Sequence, residues 1–185
     1  PDQYSESKIT ELKAEYEDKA KTENESRISA ADEDVNIVVI LNESFFDPAV
    51  EFQGLKFEDY YPHTGGDITP NIHRIMRDYP SGYMYSLDYG GGTANIEFET
   101  LTSLTNYWVN TVPYTALIPK AGEIPSIAQT YKKQGYKTTA IHPYNGGMYK
   151  RNIALKNEGF DNFIDQYDMK FQEHDGSSEY INDYS

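Results

Sequence analysis

Cysteine is absent from the 185 residues of this chain. Its absence excludes disulfide bonds, thiolate metal ligands and cysteine nucleophiles, and it is compatible with either a reducing or an oxidising compartment. Long apolar runs are also lacking: the longest, Ile37 to Leu41, is far shorter than the roughly 20 residues that a membrane-spanning helix needs. No basic-then-apolar leader opens the chain, so we expect neither a membrane span nor a secretory signal in these residues.

Basic residues are scarce relative to acidic ones. Lysine and arginine total 16 against 30 aspartates and glutamates, which gives a formal net charge of -14. This charge opposes binding to the phosphate backbone of nucleic acid, so we expect no nucleic acid partner. An anionic substrate would also be repelled unless local cations or a bound metal reverse the sign of the charge in the cleft.

The first 34 residues differ in composition from the rest. They are rich in Glu, Asp, Lys and Ser, and Ile9, Leu12, Tyr16 and Ala20 are spaced loosely along one helical face. This pattern predicts a solvated helix followed by a linker. We therefore interpret residues 1–34 as an acidic helical tether and residues 35–185 as one folded domain.

Strand and helix patterns alternate after residue 35. The run Ile37 to Leu41 has no polar alternation, as in a parallel strand that is covered on both faces. The predicted strands are 36–41, 83–87 and 137–141, and the predicted helices are 69–76, 94–104 and 123–134. This order predicts an α/β fold, a three-layer α/β/α sandwich with a mostly parallel sheet. Residues 172–185 are predicted to be irregular.

Particular residues support the ends and the buried faces of these helices. Thr69 is predicted as an N-cap before Pro70, and Gly135 is predicted as a C-cap because glycine enters the left-handed region freely. The apolar residues predicted to face the core are Ile96, Leu101, Leu104, Ile124 and Ile127.

Polar residues follow the predicted strands, where sites form in open α/β sheets. Glu43 comes directly after the first strand and offers a hard oxygen ligand for Mg²⁺ or Mn²⁺. The alternative is a solvated carboxylate at a strand end, which is an ordinary feature. We expect Glu43, Thr93 and His142 to converge at one edge of the sheet.

Thr93 follows three glycines and opens a predicted helix. Its hydroxyl would lie where backbone N–H groups and the helix dipole favour an anion, and a divalent cation would activate it as a nucleophile. The alternative is that Thr93 only caps the helix. A nucleotide-binding P-loop is disfavoured because Gly92 stands where that motif has lysine.

His142, Tyr149 and Arg151 gather after the third predicted strand. They offer an imidazole, an aromatic face and a planar guanidinium, which together suit a substrate anion. The alternative is a surface loop with a helix-capping arginine. The remaining histidines show no partner pattern and have no assigned role: His63, His73 and His174.

Three stretches of the sequence resemble the extracellular catalytic domain of the lipoteichoic acid synthase and phosphoglycerol transferase family, within the alkaline phosphatase and sulfatase superfamily. They are residues 36–45, residues 91–98, and residues 142–151 with Gly159-Phe160-Asp161. The resemblance covers residues 35–170 and implies an alkaline phosphatase-like fold, of which residues 35–185 would be the amino-terminal half.

The resemblance also implies roles for the site residues. Glu43 would bind Mn²⁺ or Mg²⁺, and Thr93 would bind the metal and form a glycerophosphoryl-enzyme intermediate. His142 and Arg151 would hold the substrate head group. Tyr149 stands where the family has tryptophan, which keeps the stacking character and leaves the head-group preference open.

Partners and location follow from the same resemblance. The donor would be a glycerophospholipid or another phosphate or sulfate ester, and the acceptor a glycan or polymer. The domain would lie at the extracellular face of the cell membrane, anchored by transmembrane helices outside these residues. The family's Asp-His pair of further metal ligands has no match before Ser185, so we expect an incomplete metal site and no turnover from this stretch alone.

Two other functions remain open. Thr69-Pro70-Asn71-Ile72 is similar to the sulfatase branch, although no Cys or Ser followed by Pro and Arg marks a formylglycine nucleophile. A sulfatase or phosphatase-type ester hydrolase is therefore the second hypothesis. The third is a non-catalytic surface domain that binds a glycan or teichoic acid.

Overall fold

The computed structural model describes residues 5–26, 35–42, 45–52, 57–84, 88, 91–178 and 180–182. The chain divides into two compact units, Pro1–Ile40 and Leu41–Ser185. In the first unit, helix α1 spans Glu6–Ser26 and is exposed over residues 6–25, so the predicted solvated helix is confirmed. The linker residues 27–34 lie outside the described residues, and the role of a tether stays a prediction. No helix in the described ranges has the length and apolarity to cross a membrane.

The second unit is built from short helices and two short strands. The helices are α2 Pro48–Glu51, α3 Pro70–Asp78, α4 Thr93–Thr102, α5 Pro113–Ala116, α6 Ile118–Ala121, α7 Ile127–Lys133 and α8 Arg151–Asn157, with 3-10 turns at Pro62–Thr64 and Met148–Lys150. The strands are β1 Thr139–Ile141 and β2 Asn162–Ile164. The three predicted helices of this unit correspond to α3, α4 and α7, and the predicted strand 137–141 corresponds to β1.

The two strands form a parallel pair with α8 between them along the chain. Thr139 pairs with Asn162, and Ile141 pairs with Ile164. A parallel pair with a helical crossover is the βαβ unit, so the predicted α/β class is confirmed. The sequence pattern does not predict β2, because three residues between two aspartates give too short a run to show a period.

The predicted strand 36–41 is wrong. Residues 35–42 have no regular secondary structure, and the side chains of Val38 and Ile40 are 79% and 83% exposed. β-branched residues favour an extended chain, but a strand also needs a neighbour for its N–H and C=O groups. No strand pairing is assigned to residues 35–42. Of the other predicted strand, Tyr83 and Met84 are exposed without regular structure, and residues 85–87 lie outside the described ranges.

The core of the second unit lies between α4, α5, α6 and α8. Its buried members are Ala94, Phe98, Tyr114, Ile118, Ala154 and Leu155, with Leu101, Ile124 and Phe163 among the partly buried residues packed on them. Ile96 is buried as predicted. Leu104 is exposed, contrary to prediction, because α4 ends at Thr102 and Ser103 turns the backbone with a φ of 58°. Ile127 is exposed as well, since the core contact is made by Ile124 before α7 begins.

The helix ends follow the predicted residues in part. Thr69 holds the N-cap position of α3, but its side chain makes no capping hydrogen bond there. The helix predicted from residue 123 begins later, at Ile127, and its N-cap is Ser126, whose Oγ accepts from the Gln129 N–H at 3.0 Å. Gln134 holds the C-cap position of α7, and Gly135 follows it with a φ of 92°, in the left-handed region that is predicted for it.

Candidate active site

Thr93 is the first residue of α4, and the two glycines before it set its position. Gly91 and Gly92 have φ values of 123° and 87°, which favour glycine over any side chain. A Cβ on Gly92 would meet Asn95 Nδ2 at an ordinary 3.5 Å, so the backbone angle rather than space requires glycine. Gly92 itself holds the N-cap position. The alternative in which Thr93 is the helix cap is therefore not what the structure has.

One turn after Thr93, Glu97 forms an ion pair with Arg151. The Arg151 Nε donates to Oε2 of Glu97 at 2.9 Å and to Oε1 at 3.1 Å, and Nη2 donates to Oε1 at 2.6 Å. The side chains are only 2% and 13% exposed for Arg151 and Glu97. This two-point geometry is the strongest form of an arginine–carboxylate pair. It binds the start of α8 to the helix that Thr93 opens.

The turn that leads into Arg151 is strained. Tyr149 and Lys150 have φ values of 55° and 57°, and each left-handed non-glycine residue costs about 1 to 2 kcal/mol. Contacts around the turn offset this cost. The Tyr149 ring lies 5.2 Å from the Arg151 guanidinium, and Lys150 Nζ donates to the Thr115 carbonyl at 3.3 Å. Strain of this kind persists only where surrounding contacts fix the backbone.

The loop between β1 and this turn is fixed to β2 at Gly146. A Cβ there would lie 2.5 Å from Cε1 of Phe163 and 2.7 Å from Oδ2 of Asp165, so only glycine fits. The Gly146 N–H donates to the same Asp165 oxygen at 3.0 Å. The loop that carries Tyr149 and Arg151 is thereby attached to the strand pair.

His142 follows β1 directly and extends its pairing, since its N–H donates to the Ile164 carbonyl at 2.9 Å. Burial, and then the nearby Arg151 charge, hold the pKa of His142 below its usual 6.5. The ring is therefore neutral near pH 7. Its Nδ1 atom is buried and has no hydrogen-bond partner within the described part of the chain.

Four of the five predicted site residues lie within the described ranges. Tyr149 and Arg151 are in contact, His142 lies within electrostatic reach of Arg151, and Arg151 is bound to the helix that begins at Thr93. Glu43 lies outside the described residues, so its approach to Thr93 and all five assigned roles stay predictions.

The sequence pattern does not predict a role for Glu97. Its only signal is a carboxylate four residues after Thr93, and nothing in the pattern identifies a partner 54 residues away.

His73, which the sequence pattern leaves without a role, lies between two carboxylates. Its Nδ1 is 2.9 Å from Oδ1 of Asp67, and its Nε2 is 3.1 Å from Oδ2 of Asp47. The other Asp47 oxygen accepts from the Ala49 N–H at 2.9 Å, which caps α2. Hydrogen bonds to Asp67 and then Asp47 raise the pKa of His73, and the bond to His73 lowers the pKa of Asp47. The three side chains tie the start of α2 to α3.

Replacing Asp67 with asparagine is expected to lower the pKa of His73, because Asp67 makes the larger contribution to raising it. The folded pKa lies above 6.5, so the stability from these pairs is present below pH 6.5 and is lost as the pH rises through the folded pKa. NMR titration of the His73 ring protons measures the shift. Asp59→Asn, an exposed change nearby, is the control. An unchanged titration in Asp67→Asn would contradict the assignment.

Comparison with known proteins gives a family and two relatives. A family model for sulfatases matches residues 35–184. A protein of Rhizobium meliloti (strain 1021), named for cyclic beta-1,2-glucan modification, is 32% identical over 136 residues, which are 72% of this chain and 19% of that protein. The crystal structure of the lipoteichoic acid synthase LtaP from Listeria monocytogenes aligns with 56% of this chain and 25% of its own, with 24% identity and a TM-score of 0.49. The LtaP match is too distant to transfer any property to this chain.

Members of the sulfatase superfamily generally use a divalent metal. Within the described ranges, no group of three or more His, Asp and Glu side chains is placed to hold a metal ion. Of the predicted ligand pair, Thr93 is described and Glu43 is not. The described side chains alone do not form the site that the family implies, and Mn²⁺ or Mg²⁺ stays a prediction.

Proposed function

Since this chain belongs to the sulfatase family, we propose that its protein is a phosphoglycerol transferase in which Thr93 carries the transferred group. The observation that supports this most directly is the position of Thr93. It opens α4 after two left-handed glycines, on the helix that is ion-paired to Arg151 through Glu97. A helix N-terminus beside a guanidinium suits the negative charge of a transferring phosphoryl group.

The proposed reaction has two balanced steps. In the first, Thr93 Oγ attacks the phosphorus of a glycerophospholipid, the Oγ–P bond forms and the bond from phosphorus to the diacylglycerol oxygen breaks. The Thr93 proton ends on that oxygen, so diacylglycerol leaves as an alcohol. In the second, the oxygen of an acceptor hydroxyl attacks the same phosphorus, a bond from phosphorus to that oxygen forms and the Oγ–P bond breaks. The proton of the acceptor hydroxyl ends on Thr93 Oγ. A divalent metal would lower the pKa of the Thr93 hydroxyl and offset charge on the phosphoryl oxygens.

The other site residues have distinct tasks in this proposal. Arg151 and the Tyr149 ring hold the donor head group by charge and by stacking. His142 is neutral because burial and Arg151 lower its pKa. It can donate a hydrogen bond to the head group from one ring nitrogen or accept one at the other. The name of the Rhizobium meliloti relative supports a glycan as acceptor. A phospholipid donor would place the reaction at a membrane surface, and the family resemblance implies the extracellular face.

The experiment incubates the full-length protein with Mn²⁺ and a glycerophospholipid and maps peptides by mass spectrometry. A glycerophosphoryl adduct on Thr93, absent when a chelator is added, is the expected result. The family match favours sulfate-ester hydrolysis as a second function. Cleavage of an aryl sulfate without any adduct on Thr93 would replace the proposed function with that one.

A further inference from the structure

The ion pair between Glu97 and Arg151 fixes Arg151 in one geometry. Arg151 is 2% exposed, so its guanidinium cannot move as a free surface cation does. Glu97 accepts from Nε and Nη2, and the Met148 carbonyl accepts from Nη1 at 3.4 Å. What Arg151 can bind is therefore decided by the groups that hold it.

Arg151 has N–H groups left for a further hydrogen-bond partner. A guanidinium has five N–H donors. The bonds to Glu97 and Met148 use one donor on each of the three nitrogens. One N–H on Nη1 and one on Nη2 remain, and two such neighbouring donors match two oxygens of a phosphate.

The position of Glu97 connects this arrangement to Thr93. Residues four apart on a helix lie on the same face, so Glu97 lies one turn below Thr93 on α4. The strained turn at Tyr149 and Lys150 precedes Arg151, which contacts Glu97 on this face of α4. Without the carboxylate, nothing described would balance the buried charge of Arg151, and a buried charge without a partner moves or rearranges its surroundings.

We propose that Glu97 is a positioning residue, which orients Arg151 so that its two remaining N–H groups bind the donor phosphate beside Thr93. This inference rests on the proposed phosphoglycerol transfer. Glu97 acts through Arg151 and does not touch the reacting atoms. Its loss therefore weakens substrate binding more than it slows the chemical step.

The test is a double-mutant cycle in the full-length protein with Mn²⁺ and a glycerophospholipid. Glu97→Gln keeps the shape and one acceptor oxygen, so that the chain folds while the charge is lost. We expect KM to rise about ten-fold with kcat within about three-fold of the wild-type value. Arg151→Met is expected to raise KM by a similar factor. In the double variant, Glu97→Gln is expected to cause no further rise in KM beyond that of Arg151→Met alone. The matched control is Glu99→Gln, on the same helix, whose side chain bonds Thr105 and Asn106.

Each other outcome overturns the proposal in a recognisable way. A lower unfolding midpoint with unchanged KM would leave Glu97 a structural role only. A fall in kcat that persists in the Arg151→Met background would place Glu97 at the reacting atoms instead. Calorimetry, which measures binding of glycerol 3-phosphate, distinguishes a failure of the Glu97 proposal from a failure of the proposed function. If the wild-type protein neither turns over nor binds this probe, both fail; if it binds and Glu97→Gln binds equally well, only the Glu97 proposal fails.

Discussion

The Thr93→Val variant of the full-length protein is expected to lose turnover of the donor phospholipid by on the order of a thousand-fold or more, because it lacks the proposed nucleophile. Valine keeps the branched shape of threonine and removes only the hydroxyl. Because Gly92 holds the N-cap position of α4, the change removes no helix cap. The unfolding midpoint of the same variant, measured beside its turnover, separates a chemical effect from a folding effect.

Two further variants make this result specific. Thr93→Ser keeps a hydroxyl at the same position and is expected to retain measurable turnover and to form the adduct. Thr100→Val makes the same chemical change at an exposed position of the same helix and is expected to leave activity unchanged. Turnover by Thr93→Val within about ten-fold of the wild-type rate would exclude Thr93 as the nucleophile.

The free energy of unfolding of this chain is expected to fall by about 3 to 4 kcal/mol between about pH 5 and about pH 8 because of one carboxyl group, Glu158. Glu158 is fully buried, and burial raises its pKa from 4.5 to about 8. The Tyr114 hydroxyl donates to its Oε2 at 3.0 Å and partly opposes that rise. Among the described residues, its Oε1 has no hydrogen-bond partner.

The direction of this pH effect follows from which state holds the proton more tightly. The unfolded chain releases the Glu158 proton near pH 4.5, whereas the folded chain keeps it until about pH 8. Between these values the folded state binds more protons, so stability falls as the pH rises. The contribution is constant below pH 4.5 and constant again above about pH 8.

Glu158→Gln tests this assignment by urea denaturation across the same pH range. Glutamine has the shape of the protonated acid and does not titrate, so the variant should be the more stable protein at pH 8. The difference between the two proteins isolates Glu158 from every other titrating group. Tyr114→Phe removes the donor and should move the fall in stability to higher pH, since that hydrogen bond lowers the pKa. Parallel curves for Glu158→Gln and the wild type would refute the assignment.

Local signals in the sequence predict α1, α3, α4 and α7, but they do not predict the short helices α2, α5, α6 and α8. Pro70 marks the start of α3, the glycines before Thr93 mark the start of α4, and Gly135 follows α7 in the left-handed conformation. Each of these features is decided by the backbone preferences of one or two residues. These local preferences alone therefore predict that Thr93 lies at the start of a helix.

Features that depend on distant partners could not be predicted in this way. The run 36–41 has the composition of a buried strand, but its described side chains are exposed because composition does not supply a pairing neighbour. The strand β2 is recognised only by its register with β1. Their spacing in the sequence predicts that His142, Tyr149 and Arg151 lie in one loop. The carboxylate that binds Arg151, Glu97, is identified only by the folded structure.

The separation of Glu97 and Arg151 along the chain has a consequence for folding kinetics. Their pairing closes a loop of 54 residues, and ordering so long a loop carries an entropic cost that contacts within single helices avoid. Contacts within α4 are local, whereas the ion pair joins residues 54 apart, so we expect the pair to form later in folding than the helix. Interactions that form after the transition state act mainly on the unfolding rate. Weakening this pair should therefore shorten the lifetime of the assembled site while leaving the folding rate of the chain nearly unchanged.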